Sequence, residues 1–361
     1  MWFTVPTCCP RGISLPCLAE VRSGGLDGTV LSFGLNGISG HFHDGERGVS
    51  VLAPLTGGYG GSLFCRAFGF IPERTQCDFP RSPLPFDYVV QRMDGVSELA
   101  DTKQMPSVVH LYRYPVKGLS PEALPSLSLS QDQGLEWDRE FAIALGTTVF
   151  DEADPRPLDK GFFLMLRSNA ELAALATRFD PASNVLTIEH DEQVLEADLD
   201  TPAGRAAVEG FFASYLGPAT RGWPRLVRSQ GHKFTDASVM SPVMMRAISV
   251  INMASVRALE KATGTTVHPL RFRGNIYLDG LEPWEELAWK DRVLSIGGVR
   301  FKGLERTPRC GAVNVDPLTA VRDLNLPKSL MQSFGHMDLG VYLQVLSDGT
   351  LAIGDEVFAE V

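Results

Sequence analysis

The sequence predicts an α+β, β-rich protein, with short strands at the spacing of a barrel and helices laid over strands in its middle. Three observations carry that expectation. From residue 105 onward, short β-branched and aromatic runs recur between glycine-bearing turns, as the strands of a barrel do. Helical signatures interrupt them only at intervals. Apolar residues make up 44% of the 361 positions and charged residues 21%, ordinary globular usage that supplies a core. At roughly 150 residues per domain, the length fits two or three domains.

Residues 1–104 differ in character. They hold 15 of the 35 glycines and a single lysine, Lys103. GGYGG (57–61) and PRSPLP (80–85) punctuate them, and no stretch sustains a period beyond a few residues. Such composition raises the cost of ordering and offers little core to offset it. Two readings stay open: a poorly ordered extension, or a mis-assigned start with the true one at Met105 or Met93. Cys8, Cys9, Cys17, Cys65 and Cys77 lie here without Cys-x-x-Cys spacing, so a zinc or iron–sulfur reading is weak. His41 and His43 alternate as on a strand, more often a polar patch than a metal chelate.

Beyond residue 105 the elements follow in order. SVVHLYRYPV (107–116), SLSLS (126–130) and DREFAIAL (138–145) read as strands. RSNAELAALATRF (167–179) has helical spacing, with Ser168 or Asn169 as cap. NVLTIEHDEQVLEADL (184–199) predicts a hairpin around His190-Asp191-Glu192. TPAGRAAVEGFFASYLG (201–217) predicts a helix, with Thr201 capping it, Pro202 in the first turn and Gly217 past the end. AISVIN (247–252) reads as a strand and ASVRALEKATG (254–264) as a helix. RFRGNIYLDG (271–280) reads as a strand. Hairpins are expected at Gly297-Gly298 and at Asp348-Gly349. The domain reading is 1–104, 105–230 and 231–361.

Net charge is −10 with a pI near 5.3. Bulk electrostatic binding to nucleic acid or to an anionic membrane is therefore not expected. No apolar run reaches the roughly 18 residues that span a bilayer, and the first residues lack a signal-peptide pattern. The expected location is cytoplasmic, where disulfides are rare.

The chain lacks a G-x-S-x-G elbow, a P-loop, an H-E-x-x-H motif and a dinucleotide fingerprint. Its conspicuous polar residues gather in YPVKG (114–118) with WDREF (137–141), in HPLRFRGN (268–275) and in ERTPRCGAVNVDP (305–317). Cys310 follows Arg309, and a neighbouring guanidinium favours thiolate, a soft metal ligand. Arg271 and Arg273, two apart on one strand face, suit a forked grip on phosphate. Plainer readings stand beside these. A lone cysteine is most often a small core residue. Arg271, Arg273, Lys117 and Arg139 can be surface charges, and Asp316-Pro317 is a common turn pair.

Residues 107–359 resemble proteins in which a MOSC N-terminal β-barrel domain precedes a MOSC domain, named for the C-terminal domain of molybdenum cofactor sulfurase. YPVKG, WDREF, RFRGNIYLDG, TPRC…VDP and the final LAIGDEV match the family pattern in order. Mitochondrial amidoxime-reducing components and bacterial relatives share this plan. The resemblance implies a MOSC β-barrel packed with an N-terminal β-barrel-like domain and flanking helices, and a molybdenum–pterin cofactor of the molybdopterin type between the two parts, with Cys310 as metal ligand and catalytic residue. Lys117, Arg139, Arg271, Arg273 and Asn275 match cofactor-binding positions, with Asn314 and Asp316 ranked lower. It also implies a reductase of N-hydroxylated or N-oxidised small molecules, served by a separate electron-transfer protein. The alternative is a non-catalytic carrier of the cofactor or of sulfur. The expected cofactors exclude pyridoxal phosphate, because 104 residues are too few for that domain, and a built-in iron–sulfur cluster, because no cysteine follows Cys310. The sequence departs from the family at Gly118, where a serine is common, at Gly274 in place of proline, and at Pro308.

Overall fold

The computed structural model describes residues 105–359 throughout, and four strands upstream at the level of the backbone. The chain divides into two units, Met1–Val96 and Ser97–Val361. In the first, Val30–Leu35, Ile38–Gly45, Gly48–Ala53 and Leu63–Ala67 pair as an antiparallel meander in chain order. The side chains of His41, His43 and the five early cysteines lie outside the described residues.

The second unit is built on an eight-stranded sheet. Its spatial order is Val357–Ala359, Val293–Ile296, Val299–Pro308, Asp338–Val345, Ile248–Asn252, Ile276–Asp279, Ser107–Arg113 and Glu122–Ala123. Ile248–Asn252 and Ile276–Asp279 run parallel; the other pairs are antiparallel. The sheet closes on itself. Val108 N donates to Asp355 O at 2.8 Å, Gly354 N to Val108 O at 2.8 Å and Val357 N to Pro106 O at 2.8 Å. Closure removes the exposed edges that an open sheet would carry. Alternate residues point inward, so Val108, Leu111, Ile276, Leu278, Phe301, Val341 and Leu343 fill the interior. The strand Ser107–Arg113 therefore belongs to the same barrel as residues 248–359, and the chain from 107 onward is one body.

Outside the barrel, the helices Met253–Thr263 and Leu326–Phe334 bury Val256, Leu259, Leu326 and Leu330 against Phe272 and Tyr277. A second core joins Phe141, Ile143, Leu164, Phe179, Ile188 and Leu226 beneath the helix Pro202–Leu216. Thr201 caps that helix by accepting from Gly204 N at 3.0 Å. Among the described residues, no helix is long and apolar enough to cross a membrane.

Three sequence expectations are corrected. Residues 167–179 form not a helix but a single 3₁₀ turn, Ala170–Ala174, then a strand, Ala176–Asp180. Burying Leu172, Leu175 and Phe179 in one core, while pairing Ala176–Asp180 with Val185–His190, outweighs helix propensity. The expected hairpin at Asp348-Gly349 does not close. Gly349–Ala352 instead crosses to pair with Ser126–Ser130, and Asp348 Oδ1 accepts from Gln131 N at 2.7 Å at that corner. Residues 271–275 are not strand either. Pro269–Phe272 is a 3₁₀ turn begun by Pro269, and pairing starts at Ile276.

Candidate functional site

Three segments converge at one end of the barrel on a cavity of about 270 Å³. Lys117, Arg139, Arg271, Arg273, Asn275 and Cys310 all line it. Asn314 and Asp316 do not line it. Asn314 Oδ1 accepts from Leu326 N at 3.0 Å, and Asp316 Oδ1 accepts from Leu318 N at 2.8 Å.

Asp138 pins YPVKG and WDREF to HPLRFRGN. Its Oδ1 accepts from Tyr114 N at 2.8 Å and from Asn275 Nδ2 at 3.0 Å, and its Oδ2 accepts from Arg139 Nη1 at 2.5 Å. Asn275 also donates to Tyr112 O at 3.1 Å and accepts from Ser249 N at 3.2 Å. Both groups of its amide are thus engaged within the protein. Arg139 and Arg273 have left-handed backbones, with φ of 48° and 52°. Side chains rarely adopt that region, and such outliers cluster at functional sites. Here it turns both guanidiniums over the Tyr114 ring, at 4.3 and 4.4 Å from its centroid.

The arginines differ in what they have left to offer. Arg139 donates to Asp138, to Asn275 and to Arg273 O. Arg271 spends Nη2 on Asp316 (2.6 Å) and Asp323 (2.7 Å), and Nη1 on Asn314 O (3.1 Å), yet its buried Nε has no partner. Among the described residues, Arg273 hydrogen-bonds to no carboxylate. Burial, reinforced by the Arg139 charge, pulls its guanidinium down to about 10. An orphaned buried donor and an unpaired guanidinium in one wall are what an anion site requires.

Cys310 follows the strand Val299–Pro308 and precedes the 3₁₀ turn Gly311–Asn314. Arg309 and Cys310 line the same cavity and interact electrostatically, but the guanidinium spends its donors elsewhere. Arg309 turns into the barrel wall, where Nη1 donates to Phe272 O at 2.9 Å and Nε to Leu339 O at 2.7 Å. Lys160 Nζ lies 3.7 Å from Cys310 Sγ. Lys160 also pairs with Asp236 at 3.1 Å, and Asp236 pairs in turn with buried Lys117. Desolvation pushes Lys117 below the ordinary lysine range, and Asp236 partly restores it. Burial alone would raise Asp236, but Lys117 and Lys160 outweigh it and hold the carboxyl well below its usual value.

Sequence reasoning missed Lys160 and Asp236. LDKGFF (158–163) and HKFTDAS (232–238) carry no periodic or motif signal, and only the fold brings them to Cys310. Tyr114 stood inside a quoted motif, but its role as a ring beneath two arginines is visible only in three dimensions. Gly118 has a φ of 83°, and a Cβ there would lie 3.1 Å from Leu164 O. At Gly274 a Cβ would lie 2.4 Å from Ile251 Cγ1. Both departures from the family pattern thus have a local steric reason.

The MOSC N-terminal beta barrel domain family matches residues 105–217, and the MOSC domain family matches residues 230–358. The chain is a MOSC-domain protein. Molybdenum cofactor sulfurase of Drosophila grimshawi is 26% identical over 297 residues, covering 75% of this chain and 37% of that protein. The Caenorhabditis briggsae molybdenum cofactor sulfurase is 27% identical, covering 66% of this chain and 34% of its own length. Mitochondrial amidoxime reducing component 2 of Rattus norvegicus is 32% identical over 123 residues, 31% of this chain and 36% of that one. The chain thus spans about a third of the length of the sulfurase relatives it matches. The cavity lies where the two MOSC segments meet: Lys117, Arg139 and Lys160 come from the first, Asp236, Arg273 and Cys310 from the second.

Proposed function

We propose that this MOSC protein binds a molybdenum–pterin cofactor in the cavity and reduces N-hydroxylated or N-oxidised small molecules, with electrons from a separate protein in the cytosol. The observation that carries the reading is one wall holding a thiol, an unpaired guanidinium and an orphaned guanidinium nitrogen. These donors fit the group: a soft thiolate suits the metal, and forked cationic donors suit a phosphate. Cys310 would ligate the metal. Arg273, Lys117 and Lys160 would hold the anionic end, with Arg139 held beside them by Asp138 and Tyr114. Bound there, the cofactor supplies two-electron oxygen-atom transfer. The protein's own part is to fix the thiol, through the turn Gly311–Asn314 that Arg271 clamps, and to line the approach with Met165, Leu166, Phe234 and Met240. Apolar lining limits water beside the reacting atoms and strengthens every charge contact within.

A second reading, a carrier that holds the cofactor or sulfur without turnover, is favoured by one observation. The relatives named molybdenum cofactor sulfurase align with up to 75% of the chain, the amidoxime-reducing relative with 31%. Metal analysis followed by an N-reduction assay separates the two. Bound molybdenum with turnover supports the reductase, bound molybdenum without turnover the carrier, and no molybdenum sinks both.

A further inference from the structure

Asp236 is the one carboxylate among the residues lining the cavity. Its Oδ1 accepts from Lys117 Nζ, and its Oδ2 from Lys160 Nζ at 3.1 Å. Lys117 is nearly enclosed, with 7% of its side chain exposed, whereas 45% of Asp236 is open. The carboxylate is therefore the more open member of its pair with Lys117, and Lys160, with 24% of its side chain exposed, lines the cavity beside it. Two of the other cations are neutralised by acids that do not line the cavity: Arg139 by Asp138, and Arg271 by Asp316 and Asp323. Arg309 gives its donors to the backbone carbonyls of Phe272 and Leu339, so among the described residues of this wall Arg273 is the cation whose side chain is left with neither an acid nor a hydrogen bond. Asp236 thus occupies, from within the chain, the two lysines that an incoming anion would need.

We propose that Asp236 is a specificity-determining internal competitor, which reserves the cavity for multiply charged oxyanions and turns away monoanions. This rests on reading the cavity as an anion site. A tethered carboxylate acts at high effective concentration. A free carboxylate offers the lysines the same group and pays the entropy of association besides, so it cannot displace Asp236. A phosphate-like dianion has more charge and a third oxygen, and it can engage Arg273 together with Lys160. It therefore wins an exchange that acetate loses. The lysines pass from one anion to another without standing unpaired in a desolvated wall.

The test uses the full chain, produced in a host that makes no pterin cofactor, titrated calorimetrically with inorganic phosphate and with acetate. Wild type is expected to bind phosphate and not acetate. Asp236→Asn should bind phosphate about tenfold tighter, the gain of one charge-assisted contact no longer contested, and should now bind acetate. Lys160→Gln should weaken phosphate binding, and it serves as the control for a correctly assembled cavity. Phosphate binding that is unchanged or weaker in a folded Asp236→Asn protein would overturn the proposal, leaving Asp236 as a scaffold for the lysines. Phosphate binding by neither protein would overturn it too. The readout is independent of turnover, so a chain that reduces nothing yet shows the exchange loses only the reductase reading.

Discussion

At the residue scale, the cavity's cations divide by whether their donors are already taken. Arg273 is the free one, so its geometry and not only its charge should matter. Arg273→Lys should weaken cofactor retention by roughly tenfold and Arg273→Ala by up to about a hundredfold, since an ammonium cannot make two parallel bonds. Cofactor content after gel filtration decides this, and equal retention in all three proteins would place Arg273 outside the grip. Asp236 gives a pH signature. Its folded-state pKa is depressed, so it contributes stability at pH values above its unfolded value of roughly 4, and loses that contribution as pH falls below it. The melting-temperature difference between wild type and Asp236→Asn should therefore narrow as pH drops from about 6 to about 3. A constant difference would mean that the lysines do not stabilise the charged carboxylate. Six residues that line the cavity were legible as candidates because they sit in motifs whose order resembles a family. Lys160 and Asp236 were not, because an isolated lysine in a proline-rich acidic loop has the same local signature as any surface charge.

At the element scale, local signals were sufficient where an element is held by its own sequence. Thr201, Pro202 and Gly217 bracket the helix Pro202–Leu216, and Gly264 ends Met253–Thr263 with a left-handed φ of 68°. They were insufficient where partners are distant. Gly349–Ala352 pairs with residues more than 200 positions upstream, and no local pattern at Asp348-Gly349 distinguishes that from a hairpin. Arg271 and Arg273 were misplaced on a strand for a related reason: RFR alternates, but Pro269 and the clamp on Asp316 and Asp323 select a turn. Gly118 follows Lys117 at the end of the first motif with a φ of 83° and Leu164 O close by. Gly118→Ala should destabilise the protein by about 1–2 kcal/mol, from left-handed strain and a tight carbonyl contact. The midpoint of urea unfolding measures it, and an unchanged midpoint would mean that the segment relaxes freely.

At the scale of the whole molecule, the barrel is closed by residues at opposite ends of the described chain, Pro106–Val108 with Asp355–Val357. The sequence pointed to a barrel through its turn spacing, but not to this closure, since strand order is a property of the sheet and not of any strand. The compact unit begins at Ser97, so a chain starting at Met105 should keep a cooperative melt within a few degrees of the full chain. A chain starting at Tyr114 lacks the strand Ser107–Arg113 and should lose that melt. If the first truncation unfolded, residues before Met105 would be part of the folding unit.

Cys310 and the cationic wall around it are the proposed seat of a molybdenum centre. The most direct measurement is the molybdenum content of the full chain and of Cys310→Ser, each purified from a cofactor-competent host. Serine is nearly isosteric, so the fold should survive, while a hydroxyl is a harder and far less acidic ligand. Near-stoichiometric molybdenum in wild type, with at least a tenfold loss in a Cys310→Ser protein of unchanged melting temperature, is the predicted result. Equal molybdenum in both, or none in wild type, would contradict it.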